Sequence, residues 1–157
     1  MAAACWVAGP EEADTVARLL VAFRDHMGKE WPSANAFLAS VERLLDDRAT
    51  DFLLATPDED SPPGGVAQLR YRWSVWTAAD DCWLEDLFVA GPARRHGVGA
   101  ALLAAAVARA RERGCRRIEL DVDAANAPAR ALYEAHGFRA DLKSPGSQDL
   151  FLGLRLD

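Results

Sequence analysis

The sequence predicts an α/β fold, a mixed α+β sandwich in which helices cover a mixed sheet, and two observations carry that expectation. Short apolar runs of strand length alternate with stretches whose apolar residues recur at helical spacing, and Gly and Pro punctuate the junctions. The predicted order is strand, two helices, three strands, helix, strand, helix, then one or two strands, an order that suits helices packed on a mixed sheet. At 157 residues, half of them hydrophobic, the chain is expected to form one domain over its whole length, 1–157, around a single core.

Each element has its own signal. Cys5 to Ala8 is a short apolar run that stops at Gly9-Pro10, so it reads as a strand. Ala13, Val16, Ala17, Leu20 and Phe23 then recur at helical spacing until Gly28. Ser33 can cap a second helix, whose stripe is Phe37, Leu38, Val41, Leu44 and Leu45 and which ends near Asp46-Asp47. Phe52 to Ala55 is a brief strand, and the Pro-, Gly- and acid-rich stretch Pro57 to Gly65 loops from it to a longer extended run, Val66 to Trp76. After a predicted turn at Ala78 to Asp81 comes the strand Cys82 to Val89, then a helix from Val98 to Arg113 that Gly114 ends. Ile118 to Val122 is read as a strand, Pro128 opens a short helix to His136 that Gly137 closes, and Asp149 to Leu156 is read as a final strand.

Composition excludes several function classes. The hydrophobic content rules out an intrinsically disordered chain. No run approaches the roughly 20 apolar residues that span a bilayer, and Met1 to Pro10 lacks the pattern of a signal peptide, so the expectation is a cytoplasmic protein with no membrane partner. Cys5, Cys82 and Cys115 form no C-x-x-C pair and read as reduced core residues. Of the formal charge of −6, residues 1–80 supply all, with 13 acids against 7 bases; residues 81–157 hold 11 of each. That balance argues against a nucleic-acid partner and favours a cationic one. A solvated acidic surface is the plain alternative.

The informative stretch is Leu84 to Leu103, LEDLFVAGPARRHGVGAALL, where an apolar strand enters a Pro-, Arg- and Gly-containing loop that opens onto an Ala-rich helix. Gly97 and Gly99 let backbone N–H groups close on a bulky anion at the positive end of the helix dipole, and Arg94 and Arg95 add charge beside it. A Walker loop needs Lys and Ser/Thr after its last glycine, and none follows Gly99. A dinucleotide fingerprint needs a tight strand-to-glycine turn and a third glycine, but Ala90 to His96 intervene and Leu102 stands at the third position. Asp121, spaced like a ribose-binding acid, keeps that reading open.

The remaining pattern resembles the GNAT superfamily of N-acetyltransferases, whose phosphate-binding signature [QR]-x-x-G-x-[GA] is matched by Arg94, Gly97 and Gly99. Downstream, Asn126, Ala129, Leu132-Tyr133-Glu134 and Gly137-Phe138 resemble that superfamily's asparagine, tyrosine and Gly-Phe segment. The likeness is specific from Val66 to Phe138; LEDLFV and the tryptophan-rich stretch before it look loosely like the branch that acts on diamines and other small amines.

The resemblance implies a sheet splayed between its fourth and fifth strands, with the pantetheine arm of acetyl-CoA added to the free edge of the fourth. It implies a cofactor site made of Leu87, Phe88 and Val89, of the loop Arg94, Arg95, His96, Gly97, Val98, Gly99 and Ala100, and of Asn126. Backbone groups of Leu87 and Val89 would meet the pantetheine amides, and an N–H near Leu87 would meet the acetyl oxygen. The amine, with a pKa of roughly 10 when free, must lose a proton before attack. Glu85 and Asp86, adjacent on one strand, point to opposite faces, so only one of them would face the acceptor cleft; the resemblance favours Glu85 as base, through a water or directly. Tyr133 stands at the position of the acid that protonates the departing thiolate.

His26, His96 and His136 are not spaced as metal ligands, so no metal is expected and each reads as structural or surface. Trp73 and Trp76 suit either an amine pocket or, as the favoured reading, burial in the sheet. The expected function is acetyl transfer from acetyl-CoA to a small cationic amine within a ternary complex; the alternative is a silent acetyl-CoA-binding module. Fold analogy favours a homodimer, although no segment marks an interface.

Overall fold

A computed structural model describes residues 3–148 and 150–156. The described residues form two compact units, a first that runs to Leu120 and a second that begins at Asp121. The first holds β1 (Ala4–Val7), α1 (Ala13–His26), α2 (Ala34–Leu45), β2 (Thr50–Thr56), β3 (Gly65–Ser74), β4 (Ala79–Val89), α3 (Val98–Glu112) and β5 (Arg117–Glu119). The second holds α4 (Ala127–Ala135). The five strands form one sheet in sequence order, antiparallel from β1 to β4 and parallel between β4 and β5.

Local chemistry sets the helix ends where the sequence placed them. The Ser33 hydroxyl accepts from the Ala36 N–H at 3.1 Å and so satisfies one of the free donors at the start of α2. Gly114 (φ +81°) and Gly137 (φ +91°) lie in the left-handed region just past α3 and α4, where residues with a side chain are strained.

The sheet buries both faces, with successive residues alternating between them along most of each strand. Phe52, Leu54, Val66 and Phe88 pack with Val16, Leu19, Leu20 and Val41 of α1 and α2. The residues between them, including Leu53, Ala55, Ala67, Leu69 and Leu84, take the other face, where α3 lies. That face is lined with small residues beneath the start of α3. A Cβ on Gly65 would stand 2.6 Å from Val98 Cγ1 and 2.9 Å from Leu102 Cδ1, so only glycine lets the helix approach the sheet this closely.

The far half of α3 is tied to the same face by a buried polar cluster. Asp51 accepts from the Tyr71 hydroxyl at 2.7 Å and from Arg109 Nε at 2.8 Å, while the Arg113 guanidinium lies 3.8 Å from the Tyr71 ring centre. Burial and the Asp51 carboxylate push the Tyr71 hydroxyl well above the usual phenol range.

Four expectations need correction. The predicted turn at Ala78 to Asp81 is mostly strand: β4 already begins at Ala79, and the turn falls earlier because Ala78, at φ +52°, supplies the reversal. The predicted strand Ile118 to Val122 shrinks to Arg117–Glu119, since its partner β4 pairs with it only through Asp81, Cys82 and Trp83. The one or two strands expected after α4 do not form among the described residues. Residues 150–156 have the alternating apolar pattern, but extended chain becomes a strand only when a neighbour takes its N–H and C=O groups, and here Leu150, Leu152, Leu154 and Leu156 are exposed. Trp73 and Trp76 are 68% and 91% exposed, not buried, because the β3–β4 hairpin projects past the helices that cover the sheet.

Candidate active site

Two features of β4 make the site. The first is a bulge. Asp86 pairs with Gln68 and Leu84 with Leu69, which leaves Glu85 as an extra residue without a counterpart. Strict alternation therefore breaks at Glu85, so the argument that Glu85 and Asp86 must face oppositely does not hold at this position. Leu84 shares the α3 face with Leu69, Asp86 shares the α1/α2 face with Gln68, and Glu85 is exposed between them.

The second feature is an open edge. β4 is paired on both sides only as far as Trp83; from Leu84 to Val89 it is paired with β3 alone among the described residues. A strand edge of this kind offers unpaired N–H and C=O groups to an extended ligand. Leu87, Phe88 and Val89 all lie on it, with Phe88 buried under α1 and stacked on Phe23 at 4.9 Å between ring centres.

The edge leads directly into the loop 90–97, expected from the sequence to bind an anion. A short 3-10 turn at Gly91–Ala93 follows, held by the Ala93 N–H to Ala90 C=O bond at 2.9 Å. Arg95 then takes φ +66°, a costly conformation for a side-chain-bearing residue, and Gly97 takes φ +74° as the residue before α3. Helix bonds begin with the Ala101 N–H to the Gly97 carbonyl at 3.0 Å. The N–H groups of Val98, Gly99 and Ala100 thus form the donor end of α3, where an anion is favoured. Arg95, His96 and Gly97 are exposed; Val98 is buried beneath the helix.

Arg94 does more than add charge. Its Nε donates to the Val89 carbonyl at 2.9 Å, its guanidinium lies 6.0 Å from the Phe88 ring centre, and its Nη2 sits 3.3 Å from His26 Nδ1. Arginine only donates, so in a hydrogen bond between these atoms His26 Nδ1 is the acceptor. This contact joins the end of α1 to the loop across 68 positions of sequence, and no motif marked His26 for it. Among the described residues no cluster of His, Cys, Asp and Glu is arranged to hold a metal ion.

In the second unit the Asn126 side-chain oxygen accepts from the Ala129 N–H at 3.2 Å and caps α4. Tyr133 lies on α4 with its ring tilted against Phe138 at 5.9 Å. His136 is occupied locally, with Nδ1 2.9 Å from the Leu132 carbonyl.

A strand with a bulge and an open edge, followed by a glycine-capped helix, can hold an extended ligand that ends in phosphates. A family model described as the acetyltransferase (GNAT) family matches residues 16–138. The chain belongs to the GNAT family of acetyltransferases. This N-acetyltransferase is 30% identical over 132 residues to the uncharacterised N-acetyltransferase YhfO of Bacillus subtilis (strain 168), covering 83% of this chain and 85% of that one. It is 31% identical over 110 residues to the aminoglycoside N(6')-acetyltransferase type 1 of Stenotrophomonas maltophilia, covering 69% and 72% of the two chains. Its fold is similar to that of a solved Arthrobacter sp. FB24 protein assigned to the acetyltransferases, with a TM-score of 0.87, 32% identity and coverage of 98% and 96%. No helix among the described residues of the enzyme is long and apolar enough to cross a membrane.

Proposed function

We propose that the enzyme transfers an acetyl group from acetyl-CoA to the primary amine of a small cationic acceptor, directly and within a ternary complex. The observation that carries this reading is the open edge of β4 from Leu84 to Val89, which runs without interruption into the donor end of α3. Acetyl-CoA would supply an acyl group already activated as a thioester. Backbone groups of Leu87 and Val89 would hold its extended arm, and the N–H groups of Val98 to Ala100, with Arg95, would hold its phosphates. The family resemblance adds Asn126 to the residues proposed to bind the cofactor.

Glu85 is assigned as the base that takes the ammonium proton, because the bulge leaves it exposed at the margin of the open edge. Tyr133 is assigned as the acid toward the departing thiolate. Asp86 is assigned to the acceptor side, where a carboxylate attracts a cationic nitrogen. The excess of acids in residues 1–80 supports a cationic acceptor, and the likeness to an aminoglycoside acetyltransferase supports a small molecule carrying amines. The reading takes the enzyme to be a cytoplasmic homodimer, which sedimentation of the purified protein checks for its oligomeric part.

Thiol release from acetyl-CoA over a panel of diamines, amino sugars, amino acids and peptide amines tests the function. Amine-dependent release, absent in Gly97→Asp, is the expected result. Binding of acetyl-CoA with no release on any amine would instead favour a silent binding module.

A further inference from the structure

The end of α1 reaches the loop after β4 through one side chain. The His26 ring lies 5.9 Å from the ring of Phe88, which is itself stacked on Phe23, one turn earlier in α1. Seated there, His26 brings Nδ1 to 3.3 Å from Nη2 of Arg94. The strand fixes the other side of that guanidinium, since Nε donates to the Val89 carbonyl at 2.9 Å. This carbonyl belongs to the open edge. The Ala90 N–H donates to the Gly64 carbonyl, so Ala90 bonds toward β3, and in an antiparallel ladder the N–H and C=O of its neighbour Val89 point the other way. Arg94 therefore ties the last carbonyl of the open edge to the end of α1. The next residue, Arg95, stands at φ +66°, a conformation that persists only where its surroundings hold it.

We propose that His26 is a positioning residue for cofactor binding, which accepts from Arg94 and so holds the guanidinium, and the loop it belongs to, ready for the phosphates of acetyl-CoA. The inference rests on the acetyl-transfer reading above and adds to it a residue far from the loop in sequence. Arg94 is exposed, so its partners alone restrict it. A free arginine loses rotamer freedom when it takes up an anion, whereas one held in advance has already lost it on folding. The Val89 carbonyl fixes Nε and the Phe88 ring, 6.0 Å away, supports one face, but only His26 fixes an outer nitrogen and with it the direction of the fork. Both hydrogen bonds leave Nη1 to donate to an anion. A carbonyl oxygen has two lone pairs, so Val89 can accept from Arg94 and from an extended ligand together.

The test compares two acetyl donors, acetyl-CoA and S-acetylpantetheine, which carries the same arm and thioester without the phosphates and the nucleotide. For each donor kcat/KM is measured, with an amine that supports turnover, on the wild-type enzyme, on His26→Phe and on His26→Asn. Phenylalanine keeps a ring against Phe88 but accepts nothing, whereas the asparagine side-chain oxygen can replace Nδ1 as acceptor. The wild type is expected to prefer acetyl-CoA. His26→Phe should lower kcat/KM for acetyl-CoA by about tenfold and leave that for S-acetylpantetheine nearly unchanged, and His26→Asn should recover most of the loss. A merely structural role lowers both donors alike and leaves their ratio unmoved. An unchanged ratio in His26→Phe, or no recovery in His26→Asn, overturns the role of His26 and leaves the acetyl-transfer reading intact. A wild type that does not prefer acetyl-CoA overturns the phosphate site and this inference with it. No thiol release with any amine of the panel overturns the acetyl-transfer reading as well.

Discussion

The two halves of β4 differ in one respect that organises the molecule. From Asp81 to Trp83 the strand has a neighbour on each side, and from Leu84 to Val89 it has one among the described residues. In the closed half, Asp81 is 4% exposed and makes a short ion pair with Arg117 of β5 at 2.6 Å, and Cys82 is fully buried. In the open half Leu84 and Phe88 are buried, a bulge interrupts the register, and the backbone edge is available to a ligand. On the proposed reading the same strand serves stability at one end and function at the other. Substitutions in the two halves should separate cleanly into those that lower stability and those that lower activity.

The largest effect is expected at the end of the open half. Gly97→Asp forces a side chain into the left-handed region and sets a carboxylate where phosphate is proposed to bind, so it should weaken acetyl-CoA binding by about a thousandfold and lower the melting temperature of the free protein by about 3 °C. Calorimetric titration checks it. Tyr133→Phe comes next, with kcat lowered by about a hundredfold and the Kd for acetyl-CoA nearly unchanged, as steady-state and binding measurements can show. Unchanged turnover would remove Tyr133 from the role of acid.

In the closed half the outcome should be reversed. Asp81→Asn leaves the Arg117 guanidinium, about one-fifth exposed, with only its longer pair to Glu119 at 3.4 Å, and should destabilise the fold by about 2 kcal/mol in urea titration. Activity per folded molecule should not change. If activity per folded molecule falls with Asp81→Asn, the division between the halves is broken.

The smallest effect concerns pH. Burial pushes the Cys82 thiol from its ordinary 9.0 up to about 12. A thiol harder to ionise when folded contributes stability that is fully present below pH 9 and is lost as the pH rises through the window from 9 to about 12. Cys82→Ala should therefore flatten the loss of stability over that window, and native Cys82 should resist alkylation at neutral pH.

The open half was the more legible of the two. Gly97, Gly99 and Arg94 stand close together in sequence, so their resemblance to a family signature singled out the loop as a proposed phosphate site, and the helix that follows it forms where its apolar residues and Gly114 placed it. Ser33 and Pro128 fixed helix starts for the same reason, since caps act over three or four residues. What stayed hidden was set by partners distant in sequence. The bulge at Glu85 exists only as a mismatch between two strands, so alternation along one strand misjudged it. The contact of His26 with Arg94 and the burial of Gln68 depend on how α1 and α2 cover the sheet. The tryptophans of the hairpin misled because large aromatics are usually buried, whereas Trp76 lies beyond the covered part of the sheet.

The central claim is that the open edge of β4 and the donor end of α3 together hold acetyl-CoA. Thermal stabilisation of the purified enzyme by acetyl-CoA, CoA, NAD and ATP tests it most directly, run beside Gly97→Asp. The account predicts a shift with acetyl-CoA and CoA, none with NAD or ATP, and loss of the shift in the variant. Stabilisation by NAD or ATP in preference to CoA, or a CoA shift that survives Gly97→Asp, would contradict it.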